Sequence, residues 1–174
     1  GVGDRTEFYN NTGALRDMVQ SHLLQTLALV AMEKPQDLSP ESIRAEKIKL
    51  LQAIRPLPIK DLAKHAFRAQ YSAGRVCVGD GHGENVAGYL DELAKEGVSA
   101  SVTETYAALK LFIDNPRWQG VPFYVRTAKR MHEGNTAVSI RFKKAPMQLV
   151  EGQHQNWLTL NIQPRECIKM EIES

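Results

Sequence analysis

The chain has 174 residues, 43% of them apolar, which suits one domain with a real core, because a domain near this size buries about two-thirds of its unfolded surface. Lys and Arg total 22 against 20 Asp and Glu, with the signs interspersed, so a nucleic-acid partner is not expected. No apolar run reaches the roughly 18 residues of a membrane span, which argues against a membrane partner, and Cys77 and Cys167 stand far apart, outside any metal-ligand spacing, which predicts a reducing, cytoplasmic setting.

Gly1 begins neither a basic leader nor a signal-peptide pattern, and a start without Met is expected of a portion of a longer chain or of a processed one. In FYNNTGALRDMVQSHLLQTLALVAMEKP, the turn formers Asn10, Asn11, Thr12 and Gly13 and the closing Pro35 bracket a helix of about five turns. A second helix is predicted in DLSPESIRAEKIKLLQAIRPLP. Ser39 suits its N-cap, Pro40 its first position and Glu41 its positive end, while Ile43, Leu50, Leu51 and Ile54 form an apolar stripe. Pro56 and Pro58 then forbid continuation.

Beyond the prolines the pattern changes to short β-branched and aromatic runs: AFRAQY, ETYAALKLFID, VPFYVRTA, AVSIRFK, WLTLNI and CIKMEIE. Most are too close together for crossover helices. The expected architecture is therefore α+β, with a helical segment at about 13–55 and a largely antiparallel sheet at about 66–174 covered by helices on one face. The stretch from roughly 73 to 101 reads as irregular and holds half of the 12 glycines. Within it Gly79, Gly81 and Gly83 resemble a phosphate-cradling turn, but G-x-G-x-x-G within a strand-helix-strand unit is not there. A surface loop is predicted instead, with His82 on it.

The first helix carries a histidine among apolar positions. At about 100° per residue, Leu15, Val19, His22, Thr26 and Val30 fall on one side. His22 can then be a core histidine with satisfied hydrogen bonds, or a general base, since an imidazole titrates near pH 6.5. Periodicity does not choose between them. Asp17, five residues earlier, falls roughly 140° away on an α-helix and reads as a first-turn carboxylate at the positive helix end.

The run RDMVQSHLLQTLALVAMEKP, followed by RAEKIKLLQAIRP, resembles the R-D-x-x-Q-x-H-L-L-Q and A-M-E-x-P segment of glucose-6-phosphate dehydrogenases. The likeness continues through AFRAQY, SVTETYAALKLFIDNPRWQGVPFYVRTAKRM and LNIQP, in the family's order and over nearly the whole chain. It implies an NADP-dependent oxidation of glucose 6-phosphate to 6-phosphogluconolactone, the first step of the oxidative pentose phosphate pathway. It also implies residues 1–174 as a partial C-terminal domain, with NADP held mainly by an N-terminal Rossmann domain that these residues lack, and homo-oligomers formed through the sheet. Alone, this portion is expected to be inactive. The alternative is a non-catalytic binding or assembly protein derived from the same fold.

Matched residue by residue, the resemblance makes His22 the catalytic base and Asp17 an acceptor for sugar hydroxyls. Lys129 in VRTAKRM matches a lysine that contacts the sugar phosphate, and Gln163 in NIQP matches a substrate-side glutamine; by pattern alone these read as a solvated lysine and an edge-strand polar residue before Pro164. No residue is assigned to NADP. The chain departs from the family at Gly134, where a second basic residue is usual, with His132, Glu133 and Asn135 around it.

Overall fold

The protein is described by a computed structural model that covers residues 2, 5–77, 83–131, 134–144 and 155–172. It divides into two compact units, residues 1–130 and 131–174. In the first unit, α1 spans Thr6–Ala14, a π-helical segment spans Leu15–Leu23, α2 spans Leu24–Ala31 and α3 spans Pro40–Gln52. A single 3₁₀ turn at Ile59–Asp61 and a short α4 at Leu62–His65 lead into the strands.

The turn formers predicted to open the first helix lie inside α1, which starts at Thr6. Gly13 nevertheless interrupts it, with φ 71° and ψ 172°. The helical run ends earlier than Pro35, because Met32 is already extended. The second helix follows its sequence signals: Ser42 N donates to Ser39 Oγ at 3.2 Å, Pro40 occupies the first turn, and Leu50 is buried. A single bridge between Ile54 and Ile113 ties its end to the sheet, and Arg55 donates to both carboxylate oxygens of Asp114 at 2.6–3.1 Å.

The strands of the first unit form two antiparallel sheets. In one, β1 (Ala66–Ala69), β4 (Tyr106–Leu111) and β5 (Phe123–Ala128) lie in the order β1-β4-β5; in the other, β2 (Gly74–Cys77) pairs with β3 (Gly83–Val86). Among its described residues, the region expected to be irregular thus holds two strands and a helix, for α5 (Tyr89–Lys95) follows closely on β3. Short strands of four residues carry too few alternations to announce themselves, and Gly88 opens α5 through an Asp91 carboxylate that accepts from its N–H at 2.8 Å. Gly79, Gly81 and His82 lie outside the described residues, as do His132 and Glu133.

Alternation assigns the sheet two faces. Ala107, Leu111 and Val125 pack beneath Ala14 and Val19, with Leu15, Leu23, Leu24 and Leu27 closing over them. The opposite face leaves Phe67 and Tyr124 exposed. A second cluster joins Ala28, Ala31, Leu50 and Ile113, where the Trp118 indole donates to Ala31 O at 2.8 Å. A third joins Tyr9, Tyr89 and Leu93.

The second unit is an antiparallel sheet in the order β6-β7-β8, with β6 at Thr136–Arg141, β7 at Trp157–Gln163 and β8 at Cys167–Glu171. The described strands therefore form three antiparallel sheets where one was expected. The α+β class stands.

Candidate functional site

The site begins with an irregularity in the helix. Across Leu15–Leu23 the backbone follows an i→i+5 pattern, closed where Leu24 N donates to Val19 O. The buried positions obey that step: Ala14 and Val19 are buried and Leu24 packs against the same cluster, and then Leu27, Ala28 and Ala31 resume the α-helical spacing. The stripe predicted at about 100° per residue is consequently rotated away from His22. His22 is exposed, and the core-histidine reading does not hold. The same step corrects the angular argument about Asp17. Residues five apart, separated by roughly 140° on an α-helix, are neighbours along the axis of a π-helix, so Asp17 and His22 share one side of the segment.

Lys129 arrives at that segment from the end of β5. Its ammonium lies 3.3 Å from Asp17 Oδ2, with the two side chains 22% and 18% exposed. The backbone is fixed where Lys129 N donates to Thr105 O at 2.9 Å, and the tail is oriented once more by Nζ standing 5.2 Å from the centroid of the Tyr9 ring, within range of a cation–π interaction. Lys129 is therefore not a freely solvated lysine. Its contact with Asp17, at 3.3 Å, is longer than the about 2.7–2.9 Å of a tight charge-assisted bond.

Two residues that sequence reasoning passed over frame this pair. Glu104, buried at the start of the strand region, accepts from Leu15 N on Oε1 at 2.9 Å, while its backbone carbonyl accepts from Ala14 N at 3.0 Å and from the Tyr9 hydroxyl at 3.3 Å. It thereby satisfies donors at the break where α1 gives way to the π-helix, which otherwise lack helical partners. Arg68 Nη1 approaches its other oxygen at 3.7 Å. Tyr9 is buried, and burial, reinforced by the Asp17 and Glu104 carboxylates, holds its phenol well above the usual range. No local pattern reveals Glu104, because its helical partner is 89 residues away.

Gln163 belongs to the second unit. It ends β7, which is the middle strand of its sheet, so the edge-strand reading fails; it is exposed there, paired in register with Thr136. Gly134 has open space around a hypothetical Cβ and no left-handed φ. Among the described residues, no three His, Cys, Asp or Glu side chains gather as a metal ion needs, and no helix is long and apolar enough to cross a membrane.

The sequence matches the family described as glucose-6-phosphate dehydrogenase, C-terminal domain, over residues 1–174. It is 45% identical over 179 residues to glucose-6-phosphate 1-dehydrogenase of Bacillus subtilis and 44% identical over 173 residues to that of Gluconobacter oxydans. Those alignments cover 100% and 99% of this chain but 35% and 34% of the relatives, so the chain spans about a third of their length. Among solved structures, a glucose-6-phosphate dehydrogenase in complex with its substrate glucose 6-phosphate superposes with a TM-score of 0.80 at 35% identity, covering 98% of this chain and 32% of that one. The enzyme from Mycobacterium avium gives 0.79 at 33% identity, covering 99% and 34%. The chain belongs to the glucose-6-phosphate dehydrogenase C-terminal domain family.

Proposed function

We propose that this chain forms the substrate side of an enzyme that oxidises glucose 6-phosphate to 6-phosphogluconolactone. The observation that carries the reading is the convergence of Asp17 and Lys129 beside an exposed His22 on the π-helical segment. NADP use follows from the family, and when bound NADP accepts the hydride from the anomeric carbon. No residue of this chain is assigned to holding it.

The chain's own residues handle the proton and the sugar. His22 takes the proton from the anomeric hydroxyl as the C–H bond breaks, so that the oxygen's electron pair forms the lactone carbonyl. A positioned base of this kind contributes roughly 10²–10⁴ in rate. Asp17, an ionised acceptor, receives hydrogen bonds from sugar hydroxyls, and Lys129 donates to the bound sugar phosphate. In the structure these two charges satisfy one another. Gln163, exposed at the end of β7, is a further substrate contact in this reading.

Residues 1–174 act as one portion of the family's C-terminal domain, in a cytoplasmic enzyme that associates into homo-oligomers through its sheet. The exposed Phe67 and Tyr124, on the sheet face opposite the helices, support that association.

The test is His22→Asn in a full-length dehydrogenase carrying this chain as its C-terminal portion. Turnover should fall at least about a hundredfold while KM for glucose 6-phosphate stays within a few fold. Near-normal turnover would return the chain to the class of non-catalytic binding or assembly proteins.

A further inference from the structure

Immediately after Lys129 the backbone makes an unusual turn. Arg130 has φ 57°, the left-handed region that residues with a Cβ seldom enter, and among the described residues outside glycine no other positive φ occurs. Such a conformation persists only where the surroundings hold it. Here they do so through the side chain. The Arg130 guanidinium pairs with Glu92 Oε1 on α5, and its central carbon lies 5.2 Å from the centroid of the Tyr71 ring. The Tyr71 hydroxyl donates to the other Glu92 oxygen at 2.6 Å. Both carboxylate oxygens are thus engaged, and the Arg130 and Glu92 side chains are only 22% and 16% exposed.

The clamp is tied back to the site through one buried residue. Thr105 Oγ1 accepts from Tyr71 N at 2.9 Å, and Thr105 O accepts from Lys129 N at 2.9 Å. Tyr71, Glu92 and Arg130 therefore grip the chain on one side of Lys129, and Thr105 grips Lys129 itself. Arg130 Nε is buried, with no hydrogen-bond partner among the described residues.

We propose that Glu92 and Tyr71 are positioning residues for the substrate lysine: by clamping Arg130 they hold the left-handed turn that aims Lys129 at Asp17. This rests on the reading of Lys129 as a substrate contact. Burial pushes the Glu92 carboxyl up, but the Tyr71 hydroxyl and the Arg130 guanidinium outweigh it and keep the group below its usual range, so it is ionised at neutral pH and the clamp is charged. Loosening the clamp leaves His22 untouched, so the cost falls on substrate affinity rather than on the chemical step.

The experiment is a double-mutant cycle in the full-length dehydrogenase, with Glu92→Gln, Lys129→Ala and the pair, reading KM for glucose 6-phosphate, kcat and the melting temperature. Glu92→Gln should raise KM by about five- to tenfold with kcat within about twofold. In the Lys129→Ala background the same substitution should change KM by less than about twofold, because its route to the substrate is already gone. Tyr71→Phe, which removes only the hydroxyl, should show the same split at smaller size and covers the case in which Glu92→Gln fails to fold. An unchanged KM in folded Glu92→Gln and Tyr71→Phe, or an effect of Glu92→Gln undiminished beside Lys129→Ala, overturns the proposal. If Lys129→Ala itself leaves KM unchanged, the assignment of Lys129 fails first and takes the clamp's functional role with it.

Discussion

Asp17 and Lys129, 112 residues apart in sequence, face one another at 3.3 Å across the junction of the π-helical segment and β5. Surface ion pairs contribute at most about 1 kcal/mol, so this half-buried contact matters more for where it holds the two groups than for stability. Under the proposed function, a ligand with hydroxyls for the carboxylate and an anionic group for the ammonium replaces each partner of the pair. In the full-length enzyme, Lys129→Ala should raise KM for glucose 6-phosphate substantially and make the residual binding less sensitive to salt, because a charge contact has been removed. Asp17→Asn should weaken both binding and turnover, since under the proposed function it takes away a charge-assisted acceptor for sugar hydroxyls. Kinetics across a salt series check both, and an unchanged KM in Lys129→Ala rejects the lysine as a substrate ligand. Introducing lysine at Gly134 is sterically open.

Much of the fold is legible in the amino-acid sequence. The six strand runs, the Ser39 cap and the helical stripe of Ile43, Leu50 and Leu51 follow from local pattern, because each is decided by neighbours within a few residues. The π-helix was not. Its signal is a step of five in the core-facing positions, from the buried Ala14 and Val19 to the partly buried Leu24, which a 3.6-residue period does not fit. That one misfit placed His22 on the wrong face and separated it from Asp17. The roles of Glu104, Tyr9 and Glu92 were equally hidden, since each depends on a partner that only the tertiary fold brings near.

The break at Gly13 makes a stability prediction. Its φ of 71° disfavours any residue with a Cβ, and a Cβ built there would stand 2.6 Å from Glu104 Oε1. The carboxylate cannot simply withdraw, because it holds Leu15 N. Gly13→Ala should therefore cost about 1–3 kcal/mol, a fall in melting temperature of about 2–4 °C for each kcal/mol in a chain of this length. A thermal melt of the variant beside the parent measures it, and an unchanged midpoint would mean that Glu104 is not fixed where it lies.

The Glu92 clamp adds a dependence on pH. Because its folded carboxyl ionises more readily than the unfolded one, whose ordinary value is 4.5, the native state binds fewer protons and gains stability from the group at higher pH. That contribution is complete above about pH 4.5 and fades as the pH falls through the depressed folded value. The Tyr71 phenol behaves in the opposite sense: burial, helped by Glu92, pushes it up from 10.0 to about 12, so its contribution is complete below pH 10 and is lost as the pH rises through 12. Melting temperatures of the parent and of Glu92→Gln should differ at pH 7 and converge toward pH 3. A gap that stays constant across the acid range would show that Glu92 is not ionised in the clamp.

The last prediction concerns the chain by itself. Hydride transfer requires the nicotinamide to be held in contact with the anomeric carbon, and positioning of that kind supplies several kcal/mol of a typical barrier reduction, up to about 7–11 kcal/mol in well-oriented systems. The 174 residues contain no G-x-G-x-x-G turn, and the glycines at 79, 81 and 83 have neither its spacing nor an acidic ribose partner after a following strand. His22 is exposed and can meet a sugar, yet a base without a hydride acceptor beside it moves no electrons. Purified residues 1–174 mixed with glucose 6-phosphate and NADP should therefore give no rise in reduced-nicotinamide absorbance, and calorimetry should detect no micromolar NADP binding. The same preparation mixed with a full-length dehydrogenase should leave the latter's rate intact, which excludes an inhibitor as the cause of silence. Turnover, or micromolar affinity for NADP, would mean that the division between a sugar-handling chain and a cofactor site elsewhere is wrong, and that the exposed side of the π-helical segment receives the nucleotide as well as the sugar.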